Sequence, residues 1–413
     1  MSRNGHVPDG WRRVRLGDIA EIVMGQSPPA STINDEGDGL PFIQGNAEYG
    51  ARHPSPVKWC NSPWKRARAG DVLMSVRAPV GALNIADRDL AIGRGVCAVR
   101  FTGVESKYGW QAIQVAVSQF RRLAQGSTFT AVGRDAVAGL TLEIPGSAAE
   151  ERTIGETLDS IDEAIERTET VIVRAAEAKQ ALAHELLTRG LPGRHTRFKH
   201  TAAGEIPDGW EVARIGELST FVTSGSRGWA KHYRTDGRAK FLRITNVKRG
   251  SVLPVLDDLQ WVEPPLDAEG RRTLVRPGDL LISITADLGA TCVAPDELGE
   301  AYVNQHLALV RLDASRVLPW FAGYFLAGPG QAQFQMLMDQ GAKAGLNLSS
   351  IRRLALPVPP MDEQRTIVSV LQASESRIER EAQQLVRWRE AKEHIARALL
   401  AGEVRIPDEK GRL

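Results

Sequence analysis

The stretch that decides the fold is Arg152–Arg189, which reads RTIGETLDSIDEAIERTETVIVRAAEAKQALAHELLTR. Its apolar residues recur at alternating steps of four and three, which is the spacing of a coiled-coil seam. The residues between them are mostly charged or good helix formers, and no Gly follows Gly155 within the stretch. The stretch therefore predicts one long helix with a narrow apolar stripe. Its predicted seam residues are Ile154, Leu158, Ile161, Ile165, Ile172, Leu182 and Leu186.

The same register returns 213 residues later, where Arg152-Thr153-Ile154 reappears as Arg365-Thr366-Ile367. Two long helices with matching stripes are natural partners, so we expect them to pack against each other. About 36 helical residues extend ~54 Å, so the second helix must run back along the first to align its stripe. This predicts an antiparallel pair. The second set of seam residues is Ile367, Leu371, Ile378, Leu385, Trp388, Ile395 and Leu399.

The repeat extends over the whole chain. Pro8-Asp9-Gly10-Trp11 returns as Pro207-Asp208-Gly209-Trp210, and Gly70-Asp71 returns as Gly278-Asp279. The chain therefore reads as a duplication in which a head is followed by a long helix, twice. The predicted boundaries are head 1 at 1–150, helix 1 at 151–190, a linker at 191–206, head 2 at 207–361, helix 2 at 362–401 and a tail at 402–413.

Each head shows short strands bounded by Gly, Pro or Asp, followed by a helical pattern and a last strand. The fold class is therefore α+β, with two strand-rich heads at opposite ends of the antiparallel helices. The predicted strands are 71–77, 82–86, 96–101 and 140–144 in head 1, and 279–285, 303–312 and 354–358 in head 2. The predicted helices are 108–124, and 319–338 with a break at Gly328-Pro329-Gly330.

Composition excludes several classes of protein. The three cysteines, Cys60, Cys97 and Cys292, lie far apart and show no metal-binding or disulfide spacing. No apolar run reaches the roughly 18 residues of a membrane span, and the first ten residues are polar, so a cytoplasmic protein is expected. The chain carries a net charge of +2, but residues 1–150 and 191–361 each carry +3 and residues 151–190 carry −4. The heads are therefore the basic parts.

Catalytic motifs are weak. The chain has no phosphate-binding Gly-x-x-x-x-Gly-Lys-Ser/Thr loop and no Gly-x-Gly-x-x-Gly after a strand. Asn61-Ser62-Pro63-Trp64 has only one of the two prolines found in amino-methyltransferase motifs, and the histidines never pair at metal spacing. We therefore predict no catalytic residue, no metal ligand and no cofactor bound by this chain.

Two basic clusters predict contact with nucleic acid, because phosphates need exposed cations and base edges need Arg, Asn, Gln, Ser or Thr. Residues 227–249 contain eight Lys or Arg against a single acid, Asp236, with aromatic residues between them. Residues 50–69 contain five Lys or Arg and no acid. A solvated basic loop is the alternative interpretation. The predicted contacts are Arg52, Lys58, Lys65, Arg66 and Arg68 in head 1, and Arg227, Lys231, Arg234, Arg238, Lys240, Arg243, Asn246, Lys248 and Arg249 in head 2.

The segments that match between the heads are strands, turns and helices, whereas the loops differ. Residues 31–49 are acidic, and their counterpart is the basic 227–249 loop. A shared framework with different loops suits two heads that act in the same way on two different ligands, such as two short DNA sequences. Unselected drift of the loops is the simpler alternative.

With these motifs in order, the chain resembles the DNA-specificity subunit of type I restriction-modification systems. The likeness covers the whole chain. It rests on Pro-Asp-Gly-Trp followed by Leu-Gly-Asp-Ile-Ala, on the Gly-x-Ser/Thr-Pro loop Gly25-Gln26-Ser27-Pro28, on the two Gly-Asp turns, on Gly126-Ser127-Thr128-Phe129 and Asn347-Leu348-Ser349, and on Glu363-Gln364-Arg365. Head 2 departs from the pattern, because it has Gly225-Ser226-Arg227 where a Pro is usual. Head 1 has Glu150-Glu151 in place of Glu-Gln.

The resemblance implies that each head is a target recognition domain for one half of a bipartite DNA target, with the helices as a spacer. It implies DNA contacts from Gln26 and Ser27. It also implies partners, namely two modification subunits that carry S-adenosylmethionine and a restriction subunit that uses ATP and Mg²⁺. Two other functions stay open at this point, a coiled-coil scaffold that binds only proteins and a DNA reader with its own methyltransferase activity.

Overall fold

The computed structural model describes residues 7–123, 131–339 and 345–405. The motif Gly126–Phe129 lies outside these residues. Two long helices dominate the fold, α5 at Ala148–Arg189 and α11 at Met361–Leu400. The chain forms two compact units, residues 1–171 with 381–413, and residues 172–380. Each unit therefore holds one head, half of α5 and half of α11.

Head 1 contains two sheets and a strand pair. One sheet has the order β2-β10-β7-β8, the other has the order β3-β5-β4-β9-β6, and β1 pairs with β11. All neighbours are antiparallel except β4 and β9, which are parallel. The strands are β1 Trp11–Arg15, β2 Ala20–Met24, β3 Ile33–Asn34, β4 Leu40–Ile43, β5 Lys58–Cys60, β6 Arg66–Ala67, β7 Val72–Ser75, β8 Leu83–Ile85, β9 Leu90–Ile92, β10 Val96–Phe101 and β11 Thr141–Pro145. The helices are α1 Leu16–Ile19, α2 Ser106–Ala116, α3 Ser118–Leu123 and α4 Arg134–Ala138.

Head 2 repeats this topology strand for strand. Its sheets have the orders β15-β23-β20-β21 and β16-β18-β17-β22-β19, β14 pairs with β24, and β17 and β22 are the parallel neighbours. The strands of this part of the chain are β12 Phe198–Thr201, β13 Gly204–Pro207, β14 Glu211–Arg214, β15 Ser219–Ser224, β16 Tyr233–Arg234, β17 Ala239–Leu242, β18 Gln260–Val262, β19 Leu274–Val275, β20 Leu280–Ser283, β21 Thr291–Val293, β22 Ala301–Val303, β23 Leu307–Leu312 and β24 Ala355–Val358. The helices are α6 Ile215–Leu218, α7 Ala268–Thr273, α8 Pro319–Ala327, α9 Gln331–Asp339 and α10 Leu348–Arg353.

The two long helices are antiparallel, as predicted. In the unit that contains head 1, ion pairs join Asp162 to Lys392 at 2.6 Å and Glu169 to Arg389 at 2.6 Å. The residue number rises along one helix as it falls along the other. In the unit that contains head 2, Lys179 pairs with Glu375, which fits the same register. The predicted α+β fold class is therefore confirmed.

The ends of the long helices complete the cores of the heads. Ile154 and Leu158 of α5, together with Leu399 and Leu400 of α11, lie in one buried cluster with Trp11 of head 1. Leu186, Leu187, Ile367 and Leu371 lie in the corresponding cluster of head 2. A head therefore packs on the beginning of one long helix and the end of the other.

Two predicted seam positions are displaced from the apolar contact. Leu182 and Ile395 are equivalent in the repeat, and each is 37% exposed. The next residues, Ala183 and Ala396, pack against the buried clusters instead. An ideal helix drifts relative to a strict heptad. At these ends of the long helices, the face that packs is the one turned toward the head.

Three other predictions need correction in their details. Part of the predicted linker 191–206 forms the hairpin β12–β13, in which Lys199 donates to the carbonyls of Asp208 and Trp210. The predicted strand 303–312 is two strands, β22 and β23, because Asn304–His306 form a turn. The predicted helix 108–124 is interrupted at Val117 and gives α2 and α3.

One buried ion pair is built identically in both heads. Asp71 follows the Gly70 turn and accepts two hydrogen bonds from Arg100, at 2.9 and 2.7 Å. Asp279 accepts two from Arg311, at 2.8 and 2.6 Å. Asp71 is 3% exposed and Asp279 is fully buried. The repeated Gly-Asp motif therefore anchors β7 to β10 and β20 to β23.

Candidate nucleic-acid interface

Head 1 presents basic residues on β5, on β6, in the loop between them and directly after β6. Lys58, Lys65, Arg66 and Arg68 are all exposed. None of these four side chains forms an ion pair or a side-chain hydrogen bond with a residue that the structure describes. Trp64, in the same loop, is 53% exposed. These cations are therefore free to meet phosphates, and an exposed aromatic ring lies among them.

Arg52 is the exception in the predicted set of head 1. Its guanidinium forms an ion pair with Asp159 of α5, which is also paired with Lys107 at 2.7 Å. Burial alone would raise the pKa of Asp159, but the hydrogen bonds from Lys107 and Arg52 outweigh it, so the pKa is lowered. Arg52 therefore links the head 1 loop to the long helix. This ion pair is a structural role that Arg52 can have in place of the predicted DNA contact.

Three cations of the head 2 basic cluster are paired with acids that sequence proximity does not reveal, and two more are bound by carbonyls. Arg243 pairs with Asp258 at 2.9 Å, and Arg249 pairs with Asp287 at 2.5 Å. Arg238 lies 3.3 Å from Glu263 and 3.5 Å from Glu300. Lys240 donates to the carbonyl of Leu298, and Arg234 donates to the carbonyls of Lys231 and Tyr233.

Three cations of the head 2 cluster are exposed and form no ion pair or side-chain hydrogen bond within the described parts of the chain. They are Arg227, Lys231 and Lys248. Asn246 must be removed from the predicted contacts, because it is only 1% exposed. Its amide oxygen accepts from the Arg243 N–H, and its amide nitrogen donates to the carbonyls of Val255 and Asp258. Asn246 therefore holds a loop and has no surface to offer to DNA.

Two aromatic residues of the head 2 cluster are core residues. Trp229 is 3% exposed and Phe241 is 1% exposed. Their rings stack with centroids 4.9 Å apart, and Tyr302 packs against Trp229 at 5.3 Å. The Trp229 indole N–H donates to Glu269 at 2.6 Å. These rings stiffen the basic segment but are not available to stack on bases.

The Gly-x-Ser loop has a different partner in each head. In head 1, Gln26 is exposed, and the Ser27 hydroxyl lies 3.1 Å from the amide nitrogen of Gln44. In head 2, the guanidinium of Arg272 binds Ser226 and Thr223. Sequence reasoning identifies Gln26 and Ser27 but not Gln44, because Gln44 lies beyond a strand and reaches the loop only in the folded head.

No group of three or more His, Cys, Asp or Glu residues in the described ranges is arranged to hold a metal ion. Cys60, Cys97 and Cys292 are buried and unpaired. Within those same ranges, no helix combines the length and the apolarity that a membrane span requires.

Comparison with known proteins decides the family. The profile described as "Type I restriction modification DNA specificity domain" matches residues 8–174 and again residues 207–387. The chain belongs to this family. The two matched ranges contain one head each, so the family covers both copies of the internal repeat. By its family, this specificity subunit is the component that recognises DNA and not the component that catalyses a reaction.

Individual relatives agree with this assignment. One relative, from Methanocaldococcus jannaschii, is described as a specificity subunit of the type I restriction enzyme MjaX. This chain is 35% identical to it over 191 residues, which are 45% of each of the two chains. It is 19% identical to the MjaVIII specificity subunit of the same organism, over 97% of this chain and 94% of that one. The crystal structure of a type I S subunit from M. genitalium has the same fold, with a TM-score of 0.64 at 13% identity, over 97% and 98% of the two chains.

Proposed function

We propose that this specificity subunit reads a bipartite double-stranded DNA target, with one half-site for each head. The observation that carries the proposal is that the two heads share one strand order and one set of buried anchors, while their exposed cations and polar side chains differ. Sequence is read by side chains at base edges, whereas the scaffold only positions them. Two heads on the same frame with different surfaces would therefore select two different half-sites, separated by a spacer that neither reads.

The exposed cations are the proposed phosphate contacts. In head 1 they are Lys58, Lys65, Arg66 and Arg68, and Gln26 and Ser27 lie on the nearby polar loop. In head 2 they are Arg227, Lys231 and Lys248. Arg234, Arg238, Lys240, Arg243 and Arg249 would first have to release their protein partners, so we expect them to contribute less. Arg52 is proposed to act through its ion pair with Asp159.

The proposed protein partners are two modification subunits and a restriction subunit. Apolar residues remain exposed on the long helices, where Val173 is 58% and Val386 is 52% exposed. Such residues widen the apolar face of a helix pair and suit packing of further helices. S-adenosylmethionine would belong to the modification subunits, and ATP and Mg²⁺ to the restriction subunit. The complex would act in the cytoplasm, where its DNA substrate lies.

An exchange of heads tests the proposal. Replacing head 1 by the head of another member of the family should change one half of the recognised sequence and leave the other half intact. The measurement is selection from a library of randomised duplexes by the full chain, alone and with the modification subunits of its own system. If the exchange changes both halves or neither, the assignment of one half-site to each head is wrong.

The proposed phosphate contacts predict a salt dependence. Replacing Lys58, Lys65, Arg66 and Arg68 by Gln should reduce the slope of log affinity against log salt by about one for each phosphate that the variant no longer neutralises. The matched control is Arg238→Gln, which removes a cation that two acids already neutralise and should change the slope by much less. Equal slopes for the wild-type chain and the fourfold variant would contradict this assignment of the cations.

A further inference from the structure

A β-turn at the edge of each head is built on the same hydrogen-bond frame but carries a different side chain at its tip. In head 1 it connects β9 to β10, and in head 2 it connects β22 to β23. Val96 donates to the carbonyl of Gly93 at 3.1 Å, and its counterpart Leu307 donates to Asn304 at 3.2 Å. Arg94 occupies the tip in head 1 and Gln305 occupies it in head 2.

Three neighbouring segments hold each turn in place. In head 1, Gly93 donates to Ile43 at 2.8 Å, Val76 donates to Gly95 at 2.9 Å, and Gly25 donates to Val96 at 2.9 Å. The equivalent bonds of head 2 are those from Asn304 to Leu242 at 3.1 Å, from Ile284 to His306 at 3.0 Å and from Gly225 to Leu307 at 3.3 Å. The turn bond and these three bonds are therefore common to the two copies.

Residues larger than glycine do not fit at the two positions that flank Arg94, which are Gly93 and Gly95. A Cβ on Gly93 would lie 2.6 Å from the amide oxygen of Gln44, and a Cβ on Gly95 would collide with the Gln44 backbone. Arg94 itself is exposed, and its side chain forms no ion pair or hydrogen bond with a described residue. Its backbone N–H lies 3.5 Å from the Ser27 hydroxyl, which in turn binds Gln44. A free guanidinium thus extends from a rigid turn beside exposed Gln26 and half-buried Gln44.

The Gln305 side chain, unlike that of Arg94, is held by a hydrogen bond. Its amide nitrogen lies 2.9 Å from Nε2 of His306, and Nδ1 of His306 lies 2.8 Å from the Thr285 hydroxyl. With the amide as donor, Nε2 accepts and the Nδ1–H donates to Thr285. The His306 backbone N–H donates to Asn304 at 3.1 Å. The imidazole therefore orients the amide at the tip of the turn and acts as a positioning group.

We propose that this turn is a base-reading position in both heads, at which Arg94 selects guanine and Gln305 selects adenine. Arg presents two donors to the O6 and N7 acceptors of guanine, and Gln presents a donor and an acceptor to adenine N6 and N7. A turn that shares four backbone hydrogen bonds between the heads, with Arg at one tip and Gln at the other, keeps the approach to the groove while changing the base. This inference rests on the proposed function, because it assigns residues to the reading of each half-site.

Reciprocal substitutions test it. Arg94→Gln should replace one preferred guanine by adenine in a single half-site, and Gln305→Arg should make the opposite change in the other half-site. Discrimination at the affected position should change by roughly 5- to 150-fold. Arg94→Lys keeps the charge but loses the planar fork, so it should retain affinity while relaxing the preference for guanine. The measurement is selection from a randomised duplex library, as in the head exchange.

Arg15→Gln is the control, because it removes the same charge from an exposed position of β1, outside the turn. It should leave both half-sites unchanged. Thermal unfolding of each variant verifies that the heads remain folded. If Arg94→Gln, Arg94→Lys and Gln305→Arg lower affinity uniformly or leave both motifs intact, the turn is not a reading position. If the wild-type chain selects no motif, with or without modification subunits, the proposed function itself fails.

Discussion

At the scale of single residues, charge in the sequence does not translate directly into charge at the surface. Arg52 and Arg66 look alike in the sequence, yet Arg52 is paired with Asp159 and Arg66 is exposed. The partner of Arg52 lies 107 residues away, so no local pattern could indicate it. Asn246 shows the same limit, because its amide is consumed by loop carbonyls. Residue types predict which chemistry is available, and only the fold determines which side chains are free to use it.

The ion pairs of Asp159 predict a pH-dependent contribution to stability. Asp159→Asn should lower the free energy of unfolding by about 2–3 kcal/mol at pH 7, because it leaves Arg52 without its charged partner. The folded-state pKa of Asp159 is below its ordinary value of 3.8. Its contribution is therefore complete above that value and is lost as the pH falls through the lower folded pKa. Urea unfolding at a series of pH values measures this.

Asp87→Asn is the control for that experiment, because Asp87 pairs with its exposed neighbour Arg88. An exposed pair contributes little to stability, so this variant should unfold much like the wild-type chain. A difference between wild type and Asp159→Asn that persists undiminished at the lowest pH would show that the loss comes from packing and not from charge.

At the scale of elements, the two long helices carry a polar contact that occurs twice. Lys392 pairs with Asp162, and Gln111 of head 1 donates to the same carboxylate at 2.8 Å. At the equivalent positions, Lys179 pairs with Glu375, and Tyr324 of head 2 donates to that carboxylate at 2.5 Å. The two lysines interrupt the predicted apolar seam. Their pairing explains why they are tolerated there, because a polar group inside a helix interface can fix its register.

Removing one of these pairs should cost more than removing a surface pair. Lys392→Ala should lower the free energy of unfolding by about 2–3 kcal/mol, because Asp162 is only 13% exposed and loses its cation. The double variant Lys392→Glu with Asp162→Lys should recover part of this loss. Chemical denaturation of the full chain is the measurement. Arg167→Ala, which breaks an exposed pair with Glu163, should cost about 0.5 kcal/mol or less.

The elements differ in how well the sequence predicts them, and the reason is the range of the interactions involved. The long helices follow from a local period, and the break at Gly328-Pro329-Gly330 follows from local backbone chemistry. The turn at Asn304–His306 escapes prediction, because Val303 and Leu307 continue an apolar run on both sides of it. The hairpin β12–β13 escapes prediction because its sequence is polar. The rigid frame around Arg94 involves four separate segments, so no single stretch of sequence shows it.

At the scale of the whole molecule, the duplication extends from the sequence to the contacts that hold each head on the long helices. Trp11 lies 3.4 Å from Glu150 at the start of α5, and Trp210 lies 3.1 Å from Glu363 at the start of α11. Each carboxylate also pairs with an Arg that lies just beyond the end of the other long helix. Arg405 pairs with Glu150, and Arg194 pairs with Glu363. Each unit therefore uses both long helices to fasten a head.

A truncation should destabilise one of the two units more than the other. Deleting residues 381–413 removes Leu399 and Leu400 from the core of head 1, so that unit should lose about 3 kcal/mol or more. Head 2 should be affected much less, because residues 172–380 form its unit. Hydrogen exchange of the full chain and the truncated chain, followed by peptide, is the measurement.

The reciprocal variant is Glu363→Ala, which removes the shared partner of Trp210, His195 and Arg194. It should raise exchange in head 2 and leave head 1 protected. Equal loosening of both heads by the truncation would show that their cores are coupled more strongly than these interactions indicate.

The place of Leu399, Leu400 and Arg405 in the unit of head 1 has a consequence for biosynthesis. Head 2 can close its core from one continuous run of chain, but head 1 has to wait for residues that are translated after head 2. The first head to be translated is thus the last to be finished, and a nascent chain stalled before α11 would expose an incomplete apolar core to chaperones.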